Sequence, residues 1–294
     1  MNEAAHRPGI ARSGDVDVFF RLFGNPGATP LVILHGANYY DSYDWIGVGT
    51  ALADDRQVAA IDARGYGQSS WSPSKDYSHD AHVGDVLAVV DHLGWSKTVP
   101  VVHSRGGYYG MLFASHYPDR VAGLVMIDSV PAIGIGHPGA PLVTVQSIGK
   151  QAKIFPTMEQ ALAATGRHRH TPPGSPAHAR LEMIVTRVEG GFILGKRDPD
   201  YANPIPLVKR NWPTKIAIDV DLWRELAKVR VPAMFVRALQ SKAGYPMESI
   251  DRLKRDYPKM DMLDVDSGHD VAAGAPDALI AGVKNFLRAR LDRS

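Results

Sequence analysis

Cysteine is absent from the 294 residues, which excludes disulfides, thiolate metal centres and a cysteine nucleophile. Neither sign of charge is in excess: 33 Lys and Arg face 31 Asp and Glu, a formal net charge of +2. Nothing in that balance argues for a nucleic acid or a membrane surface as partner. No apolar run approaches the ~18 residues that would cross a bilayer as a helix. The opening residues, Met1-Asn2-Glu3-Ala4-Ala5-His6-Arg7-Pro8, carry no apolar stretch of a secretory signal, and a cytoplasmic location is expected. No internal repeat is visible. The composition that remains, 45% hydrophobic and 22% charged, is that of an ordinary globular chain able to bury a large core.

Short apolar runs at 30–34, 57–62, 99–103 and 121–127 have the continuous hydrophobicity of strands buried on both faces. Residues 16–22 alternate weakly and read as an earlier strand. Between the runs, Val83, Val86, Leu87, Val90 and Leu93 recur with a helical period that Gly94 ends. Residues 107–116 form a second expected helix, stopped by Pro118. The alternation resumes with strands at 233–236 and 260–265 and helices at 249–256 and 276–291. This order predicts an α/β fold, a mostly parallel sheet with helices on both faces.

From 132 to 225 the pattern breaks into a stretch rich in proline and glycine, with short helical pieces. The chain therefore divides into a core of 1–131 and 226–294, and an inserted helical cap of 132–225. Such an insertion belongs over the C-terminal ends of the strands, where open α/β sheets bind ligands. Within it, Arg167-His168-Arg169-His170 reads as a solvated loop rather than a metal site.

The densest local signal is Val101-Val102-His103-Ser104-Arg105-Gly106-Gly107-Tyr108-Tyr109-Gly110. A β-branched run leads straight into a serine, and glycines follow at once. The order predicts a strand turning sharply into a helix with Ser104 on the turn, close to the nucleophile elbow G-x-S-x-G. Val102 stands where the first glycine would be. Gly106 satisfies the need for a small neighbour at a strained turn, and Gly107 and Gly110 let the new helix approach the sheet. The Arg105 N–H at the helix start is placed to face developing negative charge.

Four further segments, in order, resemble the α/β-hydrolase fold family over nearly the whole chain. Leu34-His35-Gly36-Ala37 resembles its H-G oxyanion loop. Asp62-Ala63-Arg64-Gly65-Tyr66-Gly67-Gln68-Ser69 resembles its D-x-R-G-x-G-x-S turn. Residues 85–94 resemble the helix before the elbow strand, and Ser267-Gly268-His269 resembles the late G-H that carries the histidine. The resemblance implies Ser104 as nucleophile, His269 as base, and the N–H groups of Ala37 and Arg105 as oxyanion donors. It implies no cofactor and no metal.

The acid is less direct. The family most often places it after the strand at 233–236, but Arg237-Ala238-Leu239-Gln240-Ser241-Lys242 holds no carboxylate. Some members place it at the end of the strand after the elbow helix, where Asp128 stands. An acid at the end of an apolar strand is costly without a partner, which favours Asp128; a carboxylate capping a loop is the other reading. Asn38, Tyr39, Tyr40, His103 and Tyr108 are candidate substrate contacts, and Tyr43, Tyr109, Trp212 and Trp223 weaker ones. For His35 and His103, buried hydrogen bonding that shapes the loops is the competing reading. For Trp45, packing is preferred.

Three functions compete. The first is a serine hydrolase cleaving a small-molecule carboxylic ester or lactone. The second resembles the cofactor-free quinolone dioxygenases of this fold, in which a His269–Asp128 dyad would deprotonate a hydroxy-heteroaromatic substrate. Those enzymes share a non-glycine before the H-S pair, but they carry histidine where Arg105 stands. The third is a noncatalytic ligand receptor on a hydrolase scaffold. Haloalkane dehalogenases and epoxide hydrolases of this fold carry aspartate at the elbow, against Ser104. Oligomeric state has no signature in the sequence.

Overall fold

The computed structural model describes residues 6–36, 41–131, 153–164, 174–194, 220–241 and 247–292. In chain order the main strands are β1 (Arg7–Ser13), β2 (Val16–Phe23), β3 (Ala28–Leu34), β4 (Arg56–Ile61), β5 (Val99–His103) and β6 (Leu124–Ile127). A hairpin of β7 (Val185–Val188) and β8 (Gly191–Leu194) follows, then β9 (Ala233–Ala238) and β10 (Asp261–Val265). All but the hairpin join one eight-stranded sheet of order β1-β2-β4-β3-β5-β6-β9-β10. The pairs β1–β2 and β2–β4 are antiparallel, and every later pair is parallel. The chain lays β4 on one side of β3 and β5 on the other. The C-terminal ends of β3 and β5 therefore flank a topological switch point, where open sheets leave a crevice.

Strand alternation explains why the runs are apolar throughout. Val32, Leu34, Val102 and Met126 face one core cluster with helix α2 (His79–His92) and helix α3 (Arg105–His116). Leu31, Ile33, Val99, Val101 and Ile127 face the other, against Leu279, Val283, Phe286 and Leu287 of the final helix (Pro276–Arg290). Each successive side chain enters a different core, so neither face tolerates polarity.

The expected core elements are present with ends shifted by a few residues. The expected strand at 121–127 is shorter, with Val121 reduced to an isolated bridge to Thr98 before Leu124–Ile127. The sequence reading did not include β1, nor the short helix α1 (Ile46–Leu52).

Within 132–225 the described residues hold helices Met158–Ala163, Pro176–Met183 and Leu222–Leu226, together with the β7–β8 hairpin. The short helices expected here are joined by an element that was not expected: Gly190 and Gly191, both at positive φ, turn two short strands into a hairpin. Phe155, Ala161, Leu162, Leu181, Ile184 and Val185 give this region a small hydrophobic cluster of its own. Leu222, Trp223 and Leu226 instead pack in the main core, so the chain has rejoined the core before residue 226.

Candidate active site

Ser104 sits where β5 ends and α3 begins, with φ 53° and ψ −121°. This is strained backbone for a residue with a side chain, and its neighbours hold it there. The Ser104 N–H donates to the Ile127 carbonyl at 3.1 Å, while its own carbonyl accepts from Ser129 Oγ at 2.6 Å. A Cβ at Gly106 would lie 2.6 Å from the Leu34 carbonyl oxygen, and one at Gly107 would lie 1.9 Å from Ser129 Oγ. Both glycines are required by close approach.

Val102 is accommodated by a third glycine. A Cβ at Gly110 would lie 2.6 Å from Val102 Cγ1, so the room that the first glycine of the usual motif supplies is supplied here from the helix side.

Three side chains expected to act together do meet. His269 Nε2 lies 2.8 Å from Ser104 Oγ, and His269 Nδ1 lies 2.7 Å from Asp128 Oδ2. An ionised carboxylate can only accept, so the ring proton resides on Nδ1 and Nε2 is left to accept from the serine hydroxyl. The Asp128 side chain is fully buried and that of His269 is 19% exposed, so the acid is dry and the base reachable. Asp128 also has positive φ, 46°. Its carboxylate receives Ser241 Oγ–H at 2.5 Å and the Ala238 N–H at 3.3 Å.

His103 takes a different place from the substrate contact expected of it. The residue is 0% exposed, its ring centroid is 4.6 Å from that of His269, and Nε2 lies 2.7 Å from the His269 carbonyl oxygen. Since a carbonyl only accepts, Nε2 donates. Burial first, and the neighbouring His269 second, lower the His103 pKa to about 4, which keeps the ring neutral at physiological pH. The ring therefore supports the His269 loop from below. Trp45, fully buried against it at 5.9 Å, is packing as preferred from sequence.

The H-G loop begins directly beside the serine. A Cβ at Gly36 would lie 2.8 Å from Ser104 Cβ and 2.6 Å from His103 Nδ1. His35 Nε2 accepts the Ala63 N–H at 3.1 Å, so its proton is on Nδ1, which faces the Gly36 carbonyl at 2.9 Å. The Asp62 turn fastens the far side. Its buried carboxylate accepts from Ser42 N, Ser42 Oγ and Gln68 N at 2.7, 2.6 and 2.8 Å, and Arg64 grips buried Asp85 with two parallel bonds.

Ala37, Asn38, Tyr39, Tyr40, Trp212 and the 167–170 cluster lie outside the described residues. Arg105 opens α3, so its N–H belongs to the first helical turn. Tyr108 is half-buried on the same helix, its phenol raised by burial against a lowering effect of Arg105. Tyr109 stacks on His82 at 4.0 Å and is core. Trp223 is buried in the main core with Arg252 over its ring. Tyr43 lies under Arg180 of the Pro176–Met183 helix, 4.5 Å from the guanidinium carbon. That guanidinium bonds Asp41 at 2.7 and 3.2 Å and Asp44 at 3.0 and 3.3 Å, joining the insertion to the segment that follows residues 37–40. Sequence reasoning missed Ser129 and Ser241, which belong to no motif; for His103 the competing reading, buried hydrogen bonding that shapes a loop, describes its place better than substrate contact.

The profile described as the alpha/beta hydrolase fold matches residues 29–275, and the chain belongs to that family. Lipase LipV of Mycobacterium tuberculosis is 24% identical over 286 residues, covering 94% of this chain and 99% of its own length. Epoxide hydrolase B of the same organism is 43% identical over 117 residues, 38% of this chain and 32% of that protein. Among solved structures, E-2-(acetamidomethylene)succinate hydrolase superposes with a TM-score of 0.75 at 21% identity, covering 97% of this chain and all of that one. At that identity the superposition speaks for the fold. Together the family and its relatives support a hydrolase of this fold.

Proposed function

We propose that the protein is a serine hydrolase that cleaves a carboxylic ester or lactone. The observation that carries this reading is the unbroken path from Ser104 Oγ through both His269 nitrogens to Asp128 Oδ2. His269 takes the hydroxyl proton as Ser104 Oγ attacks the substrate carbonyl carbon, and then returns that proton to the leaving oxygen as the acyl bond breaks. Water, activated by the same imidazole, releases the acyl group from Ser104. Asp128 holds the ring in one tautomer and stabilises the imidazolium. The reaction so written uses these side chains and water alone.

The proposed oxyanion donors are the N–H groups of Ala37 and Arg105, the latter at the positive end of α3. The crowding of Gly36 against Ser104 supports this pairing, because it brings the H-G loop to the serine. Asn38, Tyr39, Tyr40 and Tyr108 are the proposed substrate contacts, under a cap that the insertion forms up to its return to the core near Leu222 and that Arg180 fastens to the core. Serine at the elbow separates this chemistry from that named for the epoxide hydrolase relative. A cytoplasmic setting belongs to the same reading. Among the described residues no helix is long and apolar enough to cross a membrane.

The test is turnover of short nitrophenyl esters by wild type and Ser104→Ala, with labelling of Ser104 by a fluorophosphonate. Wild-type turnover that falls at least roughly ten-thousand-fold in the variant is expected. Equal activity in both overturns the nucleophile assignment. Oxygen uptake with a hydroxyquinolone that survives Ser104→Ala would replace the reading with the oxygenase one.

A further inference from the structure

The Asp128 carboxylate is wholly buried, and a buried charge needs more than one partner to remain ionised. His269 is one partner and the Ala238 N–H of β9 another. A third is reached from the turn beyond β9. After β9 the chain turns at Leu239 and Gln240, whose N–H groups donate to the carbonyls of Val265 and Ser267 at 2.9 Å each. The Gln240 side chain adds a bond to Asp266 at 2.6 Å. This turn is thereby stitched to the segment that delivers His269, and it ends by placing Ser241 Oγ 2.5 Å from Asp128 Oδ2. That oxygen is the same atom that accepts from His269 Nδ1.

We infer that Ser241 is a positioning residue of the site, acting on His269 through Asp128. The inference rests on the hydrolase reading for its kinetic consequence, though its geometry does not. A hydroxyl donates without titrating, so it draws charge from Asp128 Oδ2 whether the imidazole is neutral or protonated. It does two things at once. It holds the carboxylate oxygen on line with Nδ1, and it moderates how strongly Asp128 stabilises the imidazolium. Without it, the less compensated carboxylate would stabilise the imidazolium more strongly and leave the ring less firmly aimed. Asp270 and neutral His103 also face this corner, and neither changes with the substitution.

In Ser241→Ala, kcat for a nitrophenyl ester is expected to fall roughly tenfold with KM within about twofold. The acid limb of the kcat/KM profile should move up, and Ser241→Thr, which keeps the hydroxyl, should restore both. A loss of thermal stability with the acid limb unmoved would mark a merely structural serine and overturn the proposal, as would a change confined to KM. A readout free of substrate separates this from the hydrolase reading itself. The low-field proton resonance of the His269 Nδ1–H···Asp128 bond should shift or broaden in Ser241→Ala and be recovered in Ser241→Thr. An identical resonance in wild type and Ser241→Ala overturns the proposal whatever the protein hydrolyses.

Discussion

The parallel sheet and the region inserted between β6 and β9 are held by different forces. The sheet is pressed between two large apolar clusters, and each strand that ends at the site contributes to both. The described part of the insertion has one small cluster of its own, and a guanidinium clamped between two carboxylates joins it to the core. Hydrophobic burial scales with area and is not screened by salt, whereas an ion pair answers to both screening and pH. The contrast assigns precision to the sheet and adjustability to the insertion. Ser104 and Asp128 directly follow β5 and β6, and His269 stands on the loop after β10, so the sheet positions all three.

The sharpest way to probe the sheet side is Asp128→Asn. The amide keeps the shape but cannot hold Nδ1–H as a carboxylate does, and kcat on a nitrophenyl ester should fall roughly a thousand- to ten-thousand-fold with the fold intact by circular dichroism. Retention of most activity would place the acid elsewhere.

A smaller effect, on stability, is expected from Gly110→Ala. The new methyl would meet Val102 Cγ1 at 2.6 Å, and overpacking of this kind costs about 1–3 kcal/mol in denaturant titrations. Val102→Gly in the same chain should recover part of the loss. If the two substitutions are simply additive, the steric coupling between them is wrong.

The smallest global effect should come from Arg180→Ala. Cleavage within 153–194 by added protease should quicken several-fold, while the main unfolding transition moves less than the protease protection does. Burial pushes the Asp41 carboxyl up, but the Arg180 bonds outweigh it and carry it below its usual 3.8. A depressed acid contributes stability that is present above its unfolded value and lost as pH falls through the folded one. Protection of the wild-type insertion should therefore persist to about pH 4 and fail below it. An unfolding transition that drops as far as the protease protection does would erase the distinction between the two regions.

Much of this was legible because sheet burial writes a plain code. Leu31 to Leu34 alternate between two cores, so the run is apolar at every position and could be read as a strand. Edge strand β1 could not: Pro8, Gly9 and an exposed Ile10 carry no such run, and pairing with β2 defines the strand. At the site, Ser104 and His269 stood in motifs, and Asp128 was conspicuous as a charge closing an apolar strand. The placement of His103 was readable in principle, since it shares the parity of Val99 and Val101, which face the cluster holding Trp45. Ser241 was not readable, because its position depends on how the β9 turn is stitched to the His269 segment, and no local pattern encodes that. The hairpin at 185–194 was signalled by Gly190-Gly191, but four-residue strands leave too little periodicity to compete with short helices.

The exchange of space between Val102 and Gly110 bears on how such proteins are found. A search written as G-x-S-x-G tests each position alone and passes over this chain, although the turn it describes is intact. The requirement is for one small residue in a facing pair, and evolution can satisfy it from either partner. A pattern that reads the two positions jointly, accepting a branched residue before the serine when glycine occupies the matching site on the helix, would recover elbows that the shorter formula discards.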